Sequence, residues 1–562
     1  MVELLIPKTK AQAEIFAKQV DAELRRRDLR EFVKAAWHLI EPITPLKWSW
    51  HFDAICQHLQ AVTEGKISRL LINVPPGSGK SSLISVLWPV WEMIRRPSEK
   101  WLFFSHREDL ADRDSIRRRL VITSSWFQDQ WPIELRPDQN QKGMYTNMAG
   151  GSHLSSGTSA VTGFRGSRLI LDDPNSTTEM SSELQRTSLL NWINLQWSTR
   201  GNDGHVKVVI QQRSHEADVT GHLLTQSKIP GGDSWCHLRI SMEYDPDTRC
   251  TTEIGWSDPR TEKGELMDPS RFTRDPAEKN KTNVVAEKIR LGSYGWSGQY
   301  QQEPTPFGGG IFKRAWLRSY DRDKEWIEIA DGRKFNLWEQ WRFATVDLAI
   351  STKDLVKTDP DYTVIAVWCV FQDHPHGPNI FLLDVIRERM EGPDIEKKIE
   401  AVAETWKLPM VLVETIGYQL STAQSLIRRG VPVREASTKL DAAYRIEKDK
   451  TSRAIAATPL MENMRFWVPR YATWKADWEA EHMIFPNGSH DDQVDTTSMA
   501  VGLTQKYGSG AMNWDSLNKT DQASQERTQD DEVNRGEVVT HQNVYGADTH
   551  NNPLSGFSFP KP

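Results

Sequence analysis

Cysteine is scarce in this sequence: four in 562 residues, Cys56, Cys236, Cys250 and Cys369, none in a C-x-x-C spacing. That scarcity argues against a disulfide framework or a zinc site and leaves the four as expected core residues. No apolar run approaches the roughly 18 residues that a membrane-spanning helix needs. The opening MVELLIPKTKAQAEIFAKQ lacks a basic stretch followed by an apolar core, so no secretory signal is expected and a cytoplasmic location is. Internal repeats are absent. A strong charge imbalance is lacking too: 70 Lys and Arg against 76 Asp and Glu give a formal net charge of -6, which by itself points to no nucleic acid. Any such contact must be local, as at Arg117, Arg118 and Arg119, a run that also reads as a solvated helix face.

What is present is ordinary for a soluble globular protein: 38% hydrophobic and 26% charged residues. The length exceeds what one hydrophobic core serves, so at least two domains are expected. Residues 1–44 read as an amino-terminal helical segment, with Ile15, Phe16, Val20, Leu24, Leu29, Phe32 and Val33 at helical spacing. Residues 45–242 alternate short β-type runs (RLLINV, WLFFSH, RLILD, HVKVVIQQ, HLRISM) with helical stretches, the pattern of an α/β domain with a parallel sheet. Residues 243–335, rich in Asp, Pro, Gly and Lys, read as a linker ending in EPTPFGGGIF. A second αβ domain is expected over 336–505, its runs FATVDLAI, YTVIAVWCVF and NIFLLDVI close enough in sequence for an antiparallel meander. From 506 to 562 the chain is polar and reads as a flexible tail.

Two constellations carry chemistry. In LLINVPPGSGKSSLISVLW an apolar strand enters a Gly-rich turn and then an amphipathic helix, the context a phosphate loop requires. Gly77 and Gly79 let backbone N–H groups face phosphates, Lys80 reaches the β and γ oxygens, and Ser81 can ligate Mg²⁺, with Ser78 and Ser82 completing the set. Val74 stands where such loops usually carry their first glycine, and Pro75 and Pro76 stiffen the turn. Downstream, SRLILDDPNS ends a strand in two carboxylates: Asp172 is the candidate beside Mg²⁺, and Asp173 the candidate to polarise the attacking water, where a longer Glu is usual. Arg165, between glycines in TGFRGSR, is a candidate to reach the γ-phosphate of a neighbouring subunit, with Arg168 as competitor and a DNA phosphate or plain solvent as alternatives. Gln211, Gln212 and Arg213 end the next strand, and Gln212 is taken as a candidate contact to the nucleotide.

The second constellation is a set of separated acids: Asp347 and Glu414 at strand ends, then Asp491, Asp492 and Asp495 opening a helix. Carboxylates converging from different elements suit a two-Mg²⁺ nuclease, with Asp347, Glu414 and Asp492 as the catalytic set and Asp491 and Asp495 as further metal ligands. Asp492 and Asp495 share a helix face, as do Asp491 and Asp495. Asp354, Asp359 and Asp361 read as solvated turn residues.

Taken together, VPPGSGKSS, LILDDP, VIQQRSHEADVTGHLL, GQYQQEPTPFGGGIFK and FPNGSHDDQVD resemble segments of the phage large terminases, in the family's order, over roughly residues 45 to 500. The resemblance implies an additional-strand, phosphate-loop ATPase domain joined to a ribonuclease H-like nuclease domain. It implies ATP and Mg²⁺ as cofactors, with Mn²⁺ accepted by the nuclease, and double-stranded viral DNA as substrate. As partners it implies a homo-oligomeric ring on the portal protein of a procapsid and a small terminase subunit, with no membrane. The expected location is the cytoplasm of the infected bacterial host and not the mature virion. A repair or recombination ATPase-nuclease is the alternative, but the strand-separation motifs it needs between residues 215 and 340 are not found. A nucleotide-dependent structural protein whose acids only cap turns would show no metal-dependent DNA cleavage.

Overall fold

The computed structural model describes residues 9–158, 163–176, 180, 182–304, 310–348, 362–373, 377–390, 392–415, 419–438, 444–447, 449–488 and 490–507. The chain divides into two compact units, residues 1–371 with 379–502 and residues 372–378 with 503–562. Both candidate sites lie in the first. Asp354, Asp359, Asp361 and nearly all of the expected tail fall outside the described residues. No helix among the described residues is long and apolar enough to cross a membrane.

Among the described residues the strands form two large sheets. The first comprises β1 (Arg69–Asn73), β2 (Lys100–Ser105), β3 (Leu135–Asn140), β4 (Met144–Asn147), β5 (Ser152–Gly157), β6 (Gly166–Asp172), β7 (Gly201–Gln211) and β8 (Cys236–Arg239). Their order is β3-β4-β5-β2-β6-β7-β1-β8, parallel from β5 to β8, with β4 and β3 added antiparallel at one edge. Because β7 stands between β1 and β6, the two strands that end in the Gly-rich turn and the Asp pair are separated by an additional strand.

Side-chain alternation explains why this sheet is sandwiched. Leu70, Ile72, Phe103, Ile170, Val208 and Ile210 enter the core on one face, while Leu71, Leu102, Phe104, Leu169, Leu171 and Val209 enter that on the other. Strands buried on both faces read as the near-continuous apolar runs seen in the sequence. The amino-terminal segment is not separate from this domain. Leu29, Phe32, Val33 and Ala36 of helix Leu29–Ile40 are buried in its core. By contrast Ile15, Phe16, Val20 and Leu24 of helix Lys10–Arg27 are exposed.

A two-residue parallel pair, β9 (Phe272–Thr273) and β10 (Thr282–Asn283), precedes the second sheet. That sheet comprises β11 (Leu317–Arg322), β12 (Trp326–Ile329), β13 (Lys334–Asn336), β14 (Trp341–Asp347), β15 (Thr363–Asp373), β16 (Gly377–Glu388), β17 (Val411–Glu414), β18 (Val433–Ser437), β19 (Tyr444–Arg445) and β20 (Phe466–Pro469). Its order is β13-β12-β11-β20-β16-β15-β14-β17-β18-β19. The expected meander is there as β16-β15-β14, with β14 antiparallel to β15, and β17, β18 and β19 continue in parallel from β14.

The structure corrects the linker. β11 to β13, placed there by composition, belong to this sheet: β11 pairs with β20, and Tyr320, Ile327, Ile329 and Phe335 are buried in the second core. Single apolar residues alternating with charges conceal such strands, because only one face is covered.

Candidate nucleotide pocket and carboxylate cluster

β1 runs into the turn of residues 75–79, and a helix leaves it from Lys80, its stretch Ser82–Leu87 wound wider than an α-helix. Gly77 and Gly79 have φ of 73° and 77°, a left-handed backbone that disfavours any side chain, and a Cβ on Gly79 would lie 3.2 Å from the Phe52 ring. Val74 is fully buried, so the chain is still in the core where a first glycine would stand.

The turn opens on a cavity of about 490 Å³ whose walls include Gly77, Ser78, Gly79, Lys80, Ser81, Ser82, Asp172, Asp173 and Gln212. The Lys80 ammonium lies 3.0 Å from Asp173 Oδ2. Asp172 accepts from Ser81 Oγ at 3.2 Å and from Ser85 Oγ at 2.5 Å. Burial, with Asp173 and Asp114 close by, pushes the Asp172 carboxyl up to about 7. Asp173 has a φ of 41°, uncommon for a residue with a side chain. Its carbonyl accepts from His106 Nδ1 at 2.8 Å, and its Oδ1 accepts from Gln212 N at 3.3 Å, which holds that conformation in place.

The sequence missed the far wall, formed by Glu41, His106, Arg113, Asp114 and Arg117. Arg117 donates to Glu41 at 2.5 Å. The expectation for the arginine run is corrected: Arg118 is neither solvated nor available to DNA. It is fully buried, its guanidinium 3.6 Å from the centre of the Phe103 ring, and it donates to Ser155 Oγ at 2.6 Å. Arg165 is exposed and does not line the pocket of its own chain. Arg168 is buried against Glu92 at 2.6 Å, which removes it as a competitor for the γ-phosphate. Gln211 donates to Thr220 Oγ1 and Arg213 pairs with Asp218 at 2.8 Å, so at this strand end only Gln212 faces the cavity.

The acids of the second constellation gather at the carboxyl ends of two neighbouring interior strands of the second sheet. β14 and β17 are parallel neighbours ending in Asp347 and Glu414. Helix Asp492–Tyr507 is tied to β14 by Thr345 Oγ1, which donates to Thr496 O at 2.9 Å. Asp347 is held well above the usual carboxylate range by burial and by Asp495 and Glu414 beside it. Burial pushes Asp492 up to about 6. Asp495 is also raised, by burial, in spite of two basic neighbours.

Those neighbours come from helix Lys450–Glu462, which the sequence reading did not connect to the site. Arg453 donates to Glu414 Oε1 at 3.0 Å and to Asp495 Oδ1 at 2.7 Å. The Lys450 ammonium is 2.6 Å from both Asp491 Oδ1 and Asp495 Oδ2. A signal was available: both bases sit in the first turn of a helix, where the backbone dipole disfavours cations unless acids face them. Tyr362, whose N donates to Asp492 Oδ2 at 3.4 Å, carries the guanidinium groups of Arg387 and Arg389 over its ring at 4.0 and 4.3 Å.

Among the described residues no three acids are gathered tightly enough on one point to hold a metal ion. Lys450 and Arg453 stand between them. The donor set nonetheless suits a hard divalent cation: carboxylate oxygens only, already attracting two positive charges into one place.

No curated protein matches the chain. Solved structures similar to it include the large terminase of a thermophilic bacteriophage in complex with ADP, at 11% identity, TM-score 0.43, covering 80% of this chain and 99% of that one. The HK97 bacteriophage large terminase is 11% identical with TM-score 0.34, covering 85% and 99%. The large terminase nuclease of thermophilic phage G20c with bound magnesium is 17% identical with TM-score 0.24, covering 35% and 98%. The family model does bear on the second sheet, because the model of the terminase RNaseH-like domain matches residues 344–502, from β14 through the helix that bears Asp492 and Asp495. Over those residues the chain is similar to terminase RNaseH-like domains.

Proposed function

We propose that this chain is the large terminase subunit of a tailed phage. In this reading ATP hydrolysis drives viral DNA into a procapsid, and a metal-dependent nuclease cuts the DNA concatemer. The observation that carries it is the pairing, in one chain, of a phosphate-loop cavity with an acid cluster inside a terminase RNaseH-like domain.

In the ATPase half, the backbone N–H groups of residues 77–81 cradle the phosphates and Lys80 meets their charge. Lys80 must leave Asp173 to do so, and Asp173 is then free to accept a proton from the attacking water. Asp172 keeps Ser81 oriented. Bound Mg²⁺ supplies charge neutralisation at the phosphates. Gln212, linked through its backbone to Asp173, carries a change at the phosphates into β7. Arg165, outside its own pocket, is the candidate to serve a neighbouring subunit in a ring.

In the nuclease half, Asp347, Glu414 and Asp492 hold divalent ions with Asp491 and Asp495 beside them. Such ions supply an activated water and stabilisation of the leaving oxygen. Mg²⁺ is the expected ion and Mn²⁺ an accepted one. Double-stranded viral DNA, the portal protein and a small terminase subunit are the partners this reading requires, in the cytoplasm of an infected bacterium.

The test is packaging of DNA into purified procapsids with this protein, with and without ATP, followed by plasmid cleavage with Mn²⁺. ATP-independent protection of DNA, or cleavage unaffected by chelation, rejects the reading.

A further inference from the structure

Asp495 is the acid whose two oxygens are both taken: Oδ1 accepts from Arg453 at 2.7 Å and Oδ2 lies 2.6 Å from the Lys450 ammonium. With a cation on each oxygen, Asp495 has its charge largely neutralised and attracts a metal ion weakly until one base withdraws. The two bases differ in their freedom to do so. The Arg453 side chain is only 5% exposed and forks between Glu414 and Asp495, so moving it breaks two buried contacts. The Lys450 side chain is 45% exposed, and its ammonium meets Asp491 and Asp495 at the solvent side of the cluster. Its flexible four-carbon stem lets the ammonium leave for water at less cost than the buried Arg453 fork would need.

Resting on the reading of this cluster as a metal centre, we propose that Lys450 is the resident cation of one ion position. Its ammonium holds Asp491 and Asp495 together without metal, and a divalent ion enters by displacing it. Arg453, by contrast, stays and positions Glu414 and Asp495. The helix start that bears Lys450 opposes a cation there, so the acids are what keep it in place. Lys450 is thus a positioning residue that sets how readily the second ion binds, and the nuclease is held short of full metal occupancy at low ion concentration.

The experiment is Mn²⁺ binding to the full chain without DNA, by calorimetry and by the electron paramagnetic resonance signal of free Mn²⁺, in wild type, Lys450→Met and Lys450→Arg. The methionine keeps the stem and removes the charge. Its weaker Mn²⁺ site is expected to tighten by about tenfold or more, because a like charge has left the ion position. The thermal midpoint in EDTA is expected to fall, and the rise produced by Mn²⁺ to grow. Lys450→Arg, which keeps a cation, is expected to stay near wild type. Unchanged Mn²⁺ affinity in Lys450→Met overturns the inference and leaves Lys450 a surface ion pair. Weaker affinity, with a midpoint lowered equally in EDTA and Mn²⁺, overturns it in favour of a structural strut. If wild type and both variants bind no Mn²⁺, the metal reading of the cluster fails and the inference with it, whereas two Mn²⁺ in wild type with no effect of Lys450→Met sinks the inference alone.

Discussion

Arg453→Met puts the electrostatic design of the acid cluster to a quantitative test. Arg453 is buried, as are both acids it bridges, Glu414 and Asp495, while Asp347 beside them is already raised by burial and by their charge. Removing one partner of a buried ion pair costs about 3–5 kcal/mol, because the remaining charge is left uncompensated. For a domain of this size that corresponds to about 2–4 °C per kcal/mol, so the nuclease transition in EDTA is expected to fall by roughly 6–20 °C. The assay is differential scanning calorimetry of the full chain, whose domains are expected to melt as separate transitions. Saturating Mn²⁺ is expected to restore much of the loss by supplying positive charge to the same oxygens. Adding Glu414→Gln to Arg453→Met removes one of the uncompensated charges and is expected to recover part of the loss in EDTA. A single variant that melts within about 2 °C of wild type in EDTA refutes the reasoning, since the guanidinium then compensates nothing.

Three more outcomes follow from the same geometry. Lys80→Ala is expected to abolish ATP hydrolysis and packaging while leaving Mn²⁺-dependent plasmid cleavage intact, because Lys80 is the cation at the mouth of the phosphate turn; wild-type turnover contradicts this. Asp347→Asn is expected to remove cleavage, spare ATP hydrolysis, and raise the nuclease midpoint in EDTA, since it deletes a carboxylate that burial, Asp495 and Glu414 all disfavour in charged form; an unchanged cleavage rate places the chemistry elsewhere. The pH dependence has a definite sign. Asp492 at about 6 and Asp172 at about 7 sit above their ordinary 3.8, so across that window the folded state binds more protons than the unfolded one. These two groups therefore favour a higher midpoint in EDTA at about pH 6 than at about pH 8, while stabilisation by Mn²⁺ weakens at the lower pH because protons compete for the ligands. Scanning calorimetry at both values reads the two trends, and a midpoint in EDTA that falls on acidification speaks against them.

Sequence alone determined whatever depends on local order. The turn of residues 77–81 was legible because a phosphate loop is a contiguous strand-turn-helix, and Asp172, Asp347 and Glu414 because each ends an apolar run that can only be a buried strand. The three-strand meander was legible because its apolar runs follow one another in sequence without an intervening helical pattern. Tertiary structure decided what depends on encounters between distant segments. Charge patterning could not tell that Arg118 stacks under the first sheet while its neighbour Arg117 reaches Glu41, because burial is set by what packs on a helix and not by the helix itself. Nor could it place β11 beside β20, a partner far along the chain, with β12 and β13 continuing from β11, when only one of their faces is apolar. Above all, the pairing of Lys450 and Arg453 with Asp491, Asp495 and Glu414 joins three elements separated by dozens of residues. A charge in sequence has no partner until the fold brings one within a few ångströms, and the cost of burying it then selects which partner it keeps.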